Sequence, residues 1–146
     1  MQPRIDYQKA SPLAIKAMQA LEQAVNRLPL ETSLALLVKL RASQLNGCAW
    51  SVDRYALEAT SQGESERKLH ALAVWRESPL FSPRERAALG WTEAVTQIAD
   101  THAPDADYSW LAQHFSESER VDLTLLISTI NSWNRLTISF GQRVQP

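Results

Sequence analysis

This 146-residue chain has a single cysteine, Cys48, and only four glycines, and each shortage excludes something. A lone cysteine cannot close an intramolecular disulfide, and it fits a reducing compartment. Scarce glycine, with no extended alternation of apolar and polar residues, argues against a strand-rich fold. An excess of one charge is also missing: the formal charge is −1, with acids and bases mixed along the chain. Lys39 with Arg41 is too small a basic cluster to engage nucleic acid. No apolar run reaches the roughly 18–20 residues that span a bilayer. The first residues lack the apolar centre of a secretory signal. These absences predict one soluble, cytoplasmic domain over residues 1–146, with no nucleic-acid or membrane partner.

What is present reads as helix throughout, so an all-α bundle of six to seven helices is expected. The first ten residues read as an extended arm. Ser11 caps and Pro12 opens a helix whose apolar face is Leu13, Ala17, Leu21, Ala24 and Leu28, broken by Pro29. A second helix runs from about Glu31 to Asn46, with Leu34, Leu37, Val38, Leu40 and Leu45 apolar, and stops at Gly47. A third runs from Cys48 to Gln62 and pairs with the second as an antiparallel hairpin. A fourth spans Glu64 to Arg76. Ser82 and Glu85 form a capping box opening a helix to about Thr101. His102 to Asp107 reads as a loop around Pro104. A second capping box, Ser116 with Glu119, opens a last helix to about Phe140.

The chemistry concentrates around Cys48. Directly after Gly47, it falls in the first turn of its helix, where free amide N–H groups and the helix dipole favour a thiolate. Cys48, Ser51, Val52, Tyr55 and Ala59 share a face, so Cys48, Ser51 and Tyr55 can meet in one pocket. Each has a plainer alternative. Cys48 is either a reactive thiol or a small packed residue. Tyr55 is a proton donor or a core tyrosine, and its ordinary pKa of about 10 makes it a poor shuttle near neutrality. Ser51 as a nucleophile needs a base, and His70, His102 and His114 lack the spacing to supply one. Those histidines form no metal-binding pattern either, so no metal and no cofactor is expected. Glu93, on a mostly apolar face, is either functional or paired with Lys39 or Arg41. Trp50 packs, or walls a small-molecule pocket beside Cys48. Trp133, Asn134 and Arg135 read as polar anchors of the last helix.

Several runs then carry a resemblance. They are Leu37 to Cys48 (LVKLRASQLNGC), Ala73 to Phe81 (AVWRESPLF) and Glu85 to Leu89 (ERAAL), with Trp91, Glu93, Ala94, Asn131, Trp133, Asn134 and Arg135. Together they resemble the alkylhydroperoxidase D-like group of the carboxymuconolactone decarboxylase family across most of residues 30–140. The resemblance implies an all-helical homo-oligomer and a peroxide-reducing relay of one glutamate, a C-x-x-C cysteine pair and a histidine. On this chain the glutamate position is Leu36, the cysteines fall on Cys48 and Ser51, and the histidine falls on Tyr55. One of four relay residues is retained. Ser51 can hydrogen-bond a thiolate but cannot resolve a sulfenic acid as a second thiol would.

Three functions follow. The first is a thiol-dependent antioxidant, reducing hydroperoxides through Cys48 with an external thiol as reductant. The second is a catalytically silent, oligomeric binding module holding a small apolar ligand. The third is decarboxylation of a lactone carboxylate, which needs no cysteine pair but does need an acid/base group.

Overall fold

Helix α3 (Thr32–Asn46) is apolar on nearly every side, and the chain is arranged to bury it. Leu34, Leu36, Leu37, Val38 and Leu40 are all buried, as in a helix that lies inside a bundle and not on its surface. In this computed structural model, residues 3–144 are described. Around α3 stand α1 (Tyr7–Ala10), α2 (Pro12–Val25), α4 (Ala49–Ser61), α5 (Glu66–Ala71), α6 (Pro83–Thr96), α7 (Ile98–Thr101), α8 (Asp105–Ala112) and α9 (Glu117–Phe140). No strand occurs among the described residues. The bundle is all-α as expected, and its helix count exceeds six to seven because α1 and α7 are single turns.

Helices α4, α6 and α9 all pack on α3. Two apolar clusters result. One joins Val25, Val38, Trp91, Leu111 and Ile127, and the other joins Leu36, Leu40, Tyr55, Trp75, Leu89 and Ile130. Trp110 packs against both. Gly90 of α6 makes room for it, since a Cβ there would sit 2.9 Å from Trp110 Cζ3. Both capping boxes form as the sequence predicts: Ser82 with Glu85, and Ser116 with Glu119.

Several boundaries differ from the sequence reading. The arm is not wholly extended: Asp6 caps the single turn α1, and Tyr7 is buried with its hydroxyl donating to Gln142 Oε1 at 2.6 Å. Residues 1–2 of that arm lie outside the described residues. The expected apolar face of α2 is right only in part: Leu21 and Leu28 pack against the core, but Leu13 is 82% exposed, Ala17 and Ala24 are exposed, and Ile15 and Val25 are the buried residues. Apolar residues occur on two sides of α2, and only the position of α9 selects between them. The helix opening at Pro83 ends at Thr96, not Thr101, and resumes as α7. α8 starts inside the expected loop, where Pro104 precedes an acidic first turn of Asp105 and Asp107. After α5 the chain tightens into 3₁₀ turns over Leu72–Glu77, kinked at Val74.

Candidate functional site

Gly47 takes the left-handed conformation at φ 68°, ends α3 and turns the chain into α4. Cys48 is therefore the N-cap of α4, one position before the first turn in which the sequence placed it. Its backbone is fully engaged: its N–H donates to Ser43 O at 3.0 Å, and its carbonyl accepts from Val52 N–H at 2.9 Å. Its sulfur caps no backbone amide. The expected stabilisation by free amides is thus corrected, because the side chain turns toward Ser51. Cys48 Sγ donates to Ser51 Oγ at 3.2 Å, and Cys48 is 1% exposed.

Ser51 is held from the far side by α9. Asn134, fully buried, donates through Nδ2 to Ser51 Oγ at 3.1 Å and to Ser43 Oγ at 3.2 Å. Asn134 Oδ1 accepts from Asn46 Nδ2 at 2.9 Å, and the same Nδ2 donates to Asn131 Oδ1 at 2.8 Å. Asn131 in turn donates to Thr96 Oγ1 at 3.0 Å. These groups satisfy one another in the interior, as buried polar groups must. The sequence reading had Asn134 anchoring α9 by polar contacts; it missed that the contact is Ser51. An available signal was two asparagines, Asn131 and Asn134, one helical turn apart on a face otherwise lined by Leu123, Ile127 and Ile130.

One cavity adjoins this cluster through Ser51, and a second shares Tyr55 with the first. The smaller, about 130 Å³, is walled by Tyr7, Trp50, Ser51, Tyr55, Trp133 and Gln142. Trp133 Nε1–H there is buried without a protein acceptor among the described residues. The larger, about 210 Å³, is walled by Leu36, Lys39, Arg54, Tyr55 and Glu58, among others. Ser51 and Tyr55 share the smaller cavity as their common face predicts, whereas Cys48 lines neither. Tyr55, Glu22 and Arg54 line both. Burial pushes the Tyr55 phenol up to about 12, with Arg54 opposing, so it stays protonated at neutral pH.

Glu93 lies apart from both cavities. Its Oε1 accepts from Arg41 Nη2 at 2.8 Å and Trp75 Nε1 at 2.8 Å, and its Oε2 accepts from Arg76 Nη2 at 2.7 Å. Of the two expected partners Arg41 is the one used, while Lys39 faces the larger cavity. Burial raises the pKa of Glu93, but hydrogen bonds from Trp75, Arg76 and Arg41 outweigh it and leave the carboxyl below its usual range. No histidine lines either cavity. Among the described residues no three His, Cys, Asp or Glu side chains are grouped to hold a metal ion. No described helix is long and apolar enough to cross a membrane.

The chain belongs to the carboxymuconolactone decarboxylase family, whose model matches residues 12–94. It is 36% identical over 143 residues to the uncharacterized protein YdfG of Bacillus subtilis (strain 168), covering 98% of this chain and 97% of the relative. The fold superposes with a TM-score of 0.97, at 46% identity and 99% coverage of both chains, on a crystal structure from Agrobacterium tumefaciens. That protein is of unknown function and has been proposed to be the antioxidant defence protein AhpD. An alkylhydroperoxidase AhpD core, an uncharacterized peroxidase-related protein from Ralstonia eutropha JMP134, shares the fold at a TM-score of 0.82 and 20% identity. It is matched over 95% of this chain and 74% of its own.

Proposed function

We propose that this protein reduces hydroperoxides with Cys48 as its one reacting thiol and an external thiol as reductant. The contact that carries this reading is Cys48 Sγ to Ser51 Oγ at 3.2 Å, with Asn134 Nδ2 donating to the same oxygen. Because Asn134 fills an acceptor site of Ser51, the hydroxyl proton of Ser51 is free to turn to sulfur. A thiolate at Cys48 then receives a hydrogen bond in a site where water cannot supply one.

Attack by sulfur on a peroxide oxygen forms an S–O bond and breaks the O–O bond. The thiol proton ends on the departing alkoxide, so Cys48–SH and ROOH give Cys48–SOH and ROH. Tyr55, a neutral phenol, can donate a hydrogen bond to the departing oxygen but does not take up a proton. Ser51 cannot resolve the sulfenic acid. A small thiol does so, releasing water and forming a mixed disulfide, and a second thiol regenerates Cys48–SH as its own disulfide. Access runs from the smaller cavity past the Ser51 side chain, which must rotate to admit the peroxide.

One observation favours a second reading, a binding module without thiol chemistry: Cys48 is 1% exposed and lines neither cavity. Intact-mass spectrometry after brief hydroperoxide treatment separates the two, with dimedone as trap and Cys48→Ala as control. A rapid gain of one oxygen or a dimedone adduct, absent from the variant, supports the peroxidase. No modification under excess peroxide removes it and leaves the binding module.

A further inference from the structure

The N-terminal arm is held to the body of the protein by little. Of residues 3–14 only Tyr7 is buried, and its ring meets that of Phe140 with centroids 5.5 Å apart. Arg4 adds two bonds to the end of α9: its N–H donates to Phe140 O at 3.0 Å, and its Nη1 to Ser139 O at 3.1 Å. The Tyr7 hydroxyl adds another, donating to Gln142 Oε1 at 2.6 Å. The two ends of that bond are positioned differently. Gly141, left-handed at φ 70°, ends α9 and turns the chain so that Gln142 N–H donates back to Thr137 O at 3.0 Å. Gln142 is thus fixed by the longest helix, whereas Tyr7 belongs to an otherwise exposed segment.

Tyr7, Gln8, Trp50 and Gln142 line the 130 Å³ cavity that reaches Ser51. The same four residues line a neighbouring groove of about 430 Å³, which Ile5 and Arg143 also border. The bond from Tyr7 to Gln142 therefore ties together two residues that border both spaces. A segment with one buried side chain can open while the rest of the fold stays closed, because local opening costs only the contacts that the segment itself makes. Cys48, behind Ser51, is 1% exposed, so a reagent in solution meets its sulfur only when something opens.

We propose that residues 3–10 form a strap over the approach to Cys48, latched by the bond from Tyr7 to Gln142, and that its release joins the groove to the cavity beside Ser51. The inference takes from the proposed function only the approach past Ser51, and it needs no peroxide chemistry.

The test is the rate at which iodoacetamide alkylates Cys48, read by intact-mass spectrometry under native conditions. It is run on the unaltered protein, Tyr7→Phe, Gln142→Ala and the double variant. Tyr7→Phe keeps the ring against Phe140 and loses only the hydroxyl. Gly90→Ala, whose methyl meets Trp110 in the core, reports access by unfolding of the whole chain. Each single latch variant is expected to react roughly twofold to tenfold faster than the parent, the range of one lost hydrogen bond. The double variant is expected to react no faster than the faster single, since both changes break the same bond, and Gly90→Ala is expected to match the parent. An unchanged rate in either latch variant overturns the proposal. So does an equal acceleration in Gly90→Ala, which would show that the sulfur is reached by global unfolding. Alkylation needs no peroxide, so failure here is distinct from failure of the peroxidase reading, which dimedone trapping decides.

Discussion

Asn134 on α9 donates to Ser51 on α4 at 3.1 Å, across 83 residues of chain. That bond ties the longest helix to the turn holding the only cysteine. It is also the point at which the interior becomes polar, since Asn134 reaches Ser43, Ser51 and Asn46 together.

Asn134→Ala strips two donors and an acceptor from a buried cluster and leaves their partners unsatisfied. It is expected to destabilise the fold by about 2–4 kcal/mol, read as a lower urea midpoint with unchanged slope. A loss below about 0.5 kcal/mol, the range of a neutral surface change, would show that the cluster contributes little.

Ser51→Cys places a second sulfur about where Ser51 Oγ now lies, 3.2 Å from Cys48 Sγ. A disulfide needs about 2.05 Å, so a small side-chain shift closes the bond. Peroxide treatment of this variant is expected to yield an intramolecular disulfide, with a mass loss of two hydrogens and no dimedone adduct. Persistence of two free thiols after oxidation refutes the expected proximity.

Glu93 links stability to pH. Its folded pKa lies below its unfolded value near 4.5. Its contribution is therefore fully present above that unfolded value and is lost as pH falls through the folded one. Glu93→Gln should lower the melting temperature clearly at about pH 7, and the gap to the parent should narrow by about pH 3. An equal gap at both would mean that the carboxylate charge is not what stabilises the cluster of Arg41, Arg76 and Trp75.

Gly90→Ala gains up to about 1 kcal/mol of helix propensity. Its new methyl, however, sits 2.9 Å from the Trp110 ring, which is stacked on Trp75. Overpacking of this kind costs about 1–3 kcal/mol, so net destabilisation is expected in denaturant titration, with altered tryptophan fluorescence. A stabilised variant would show that Trp110 moves freely.

How much was legible follows from the range of each interaction. Both capping boxes could be read because Ser82 with Glu85 and Ser116 with Glu119 are three residues apart, within reach of one helical turn. The face of α2 could be read only in part, because Leu13 and Ile15 offer rival stripes and only packing against α9 chooses Ile15. At the candidate site, the shared cavity of Ser51 and Tyr55 was visible from their spacing of four. The direction of the sulfur was not, since it depends on whether Ser51 or the amides of α4 receive it.

By itself the sequence determined the helical class, most of the helix starts, and the seating of the single thiol at the turn after Gly47. These rest on hydrogen bonds and torsions within a few residues, which local chemistry decides. Tertiary structure alone decided that Asn134 meets Ser51 and that Arg41, not Lys39, meets Glu93. Such outcomes depend on how each helix is rotated against partners far along the chain, and that rotation is set by packing the whole core at once.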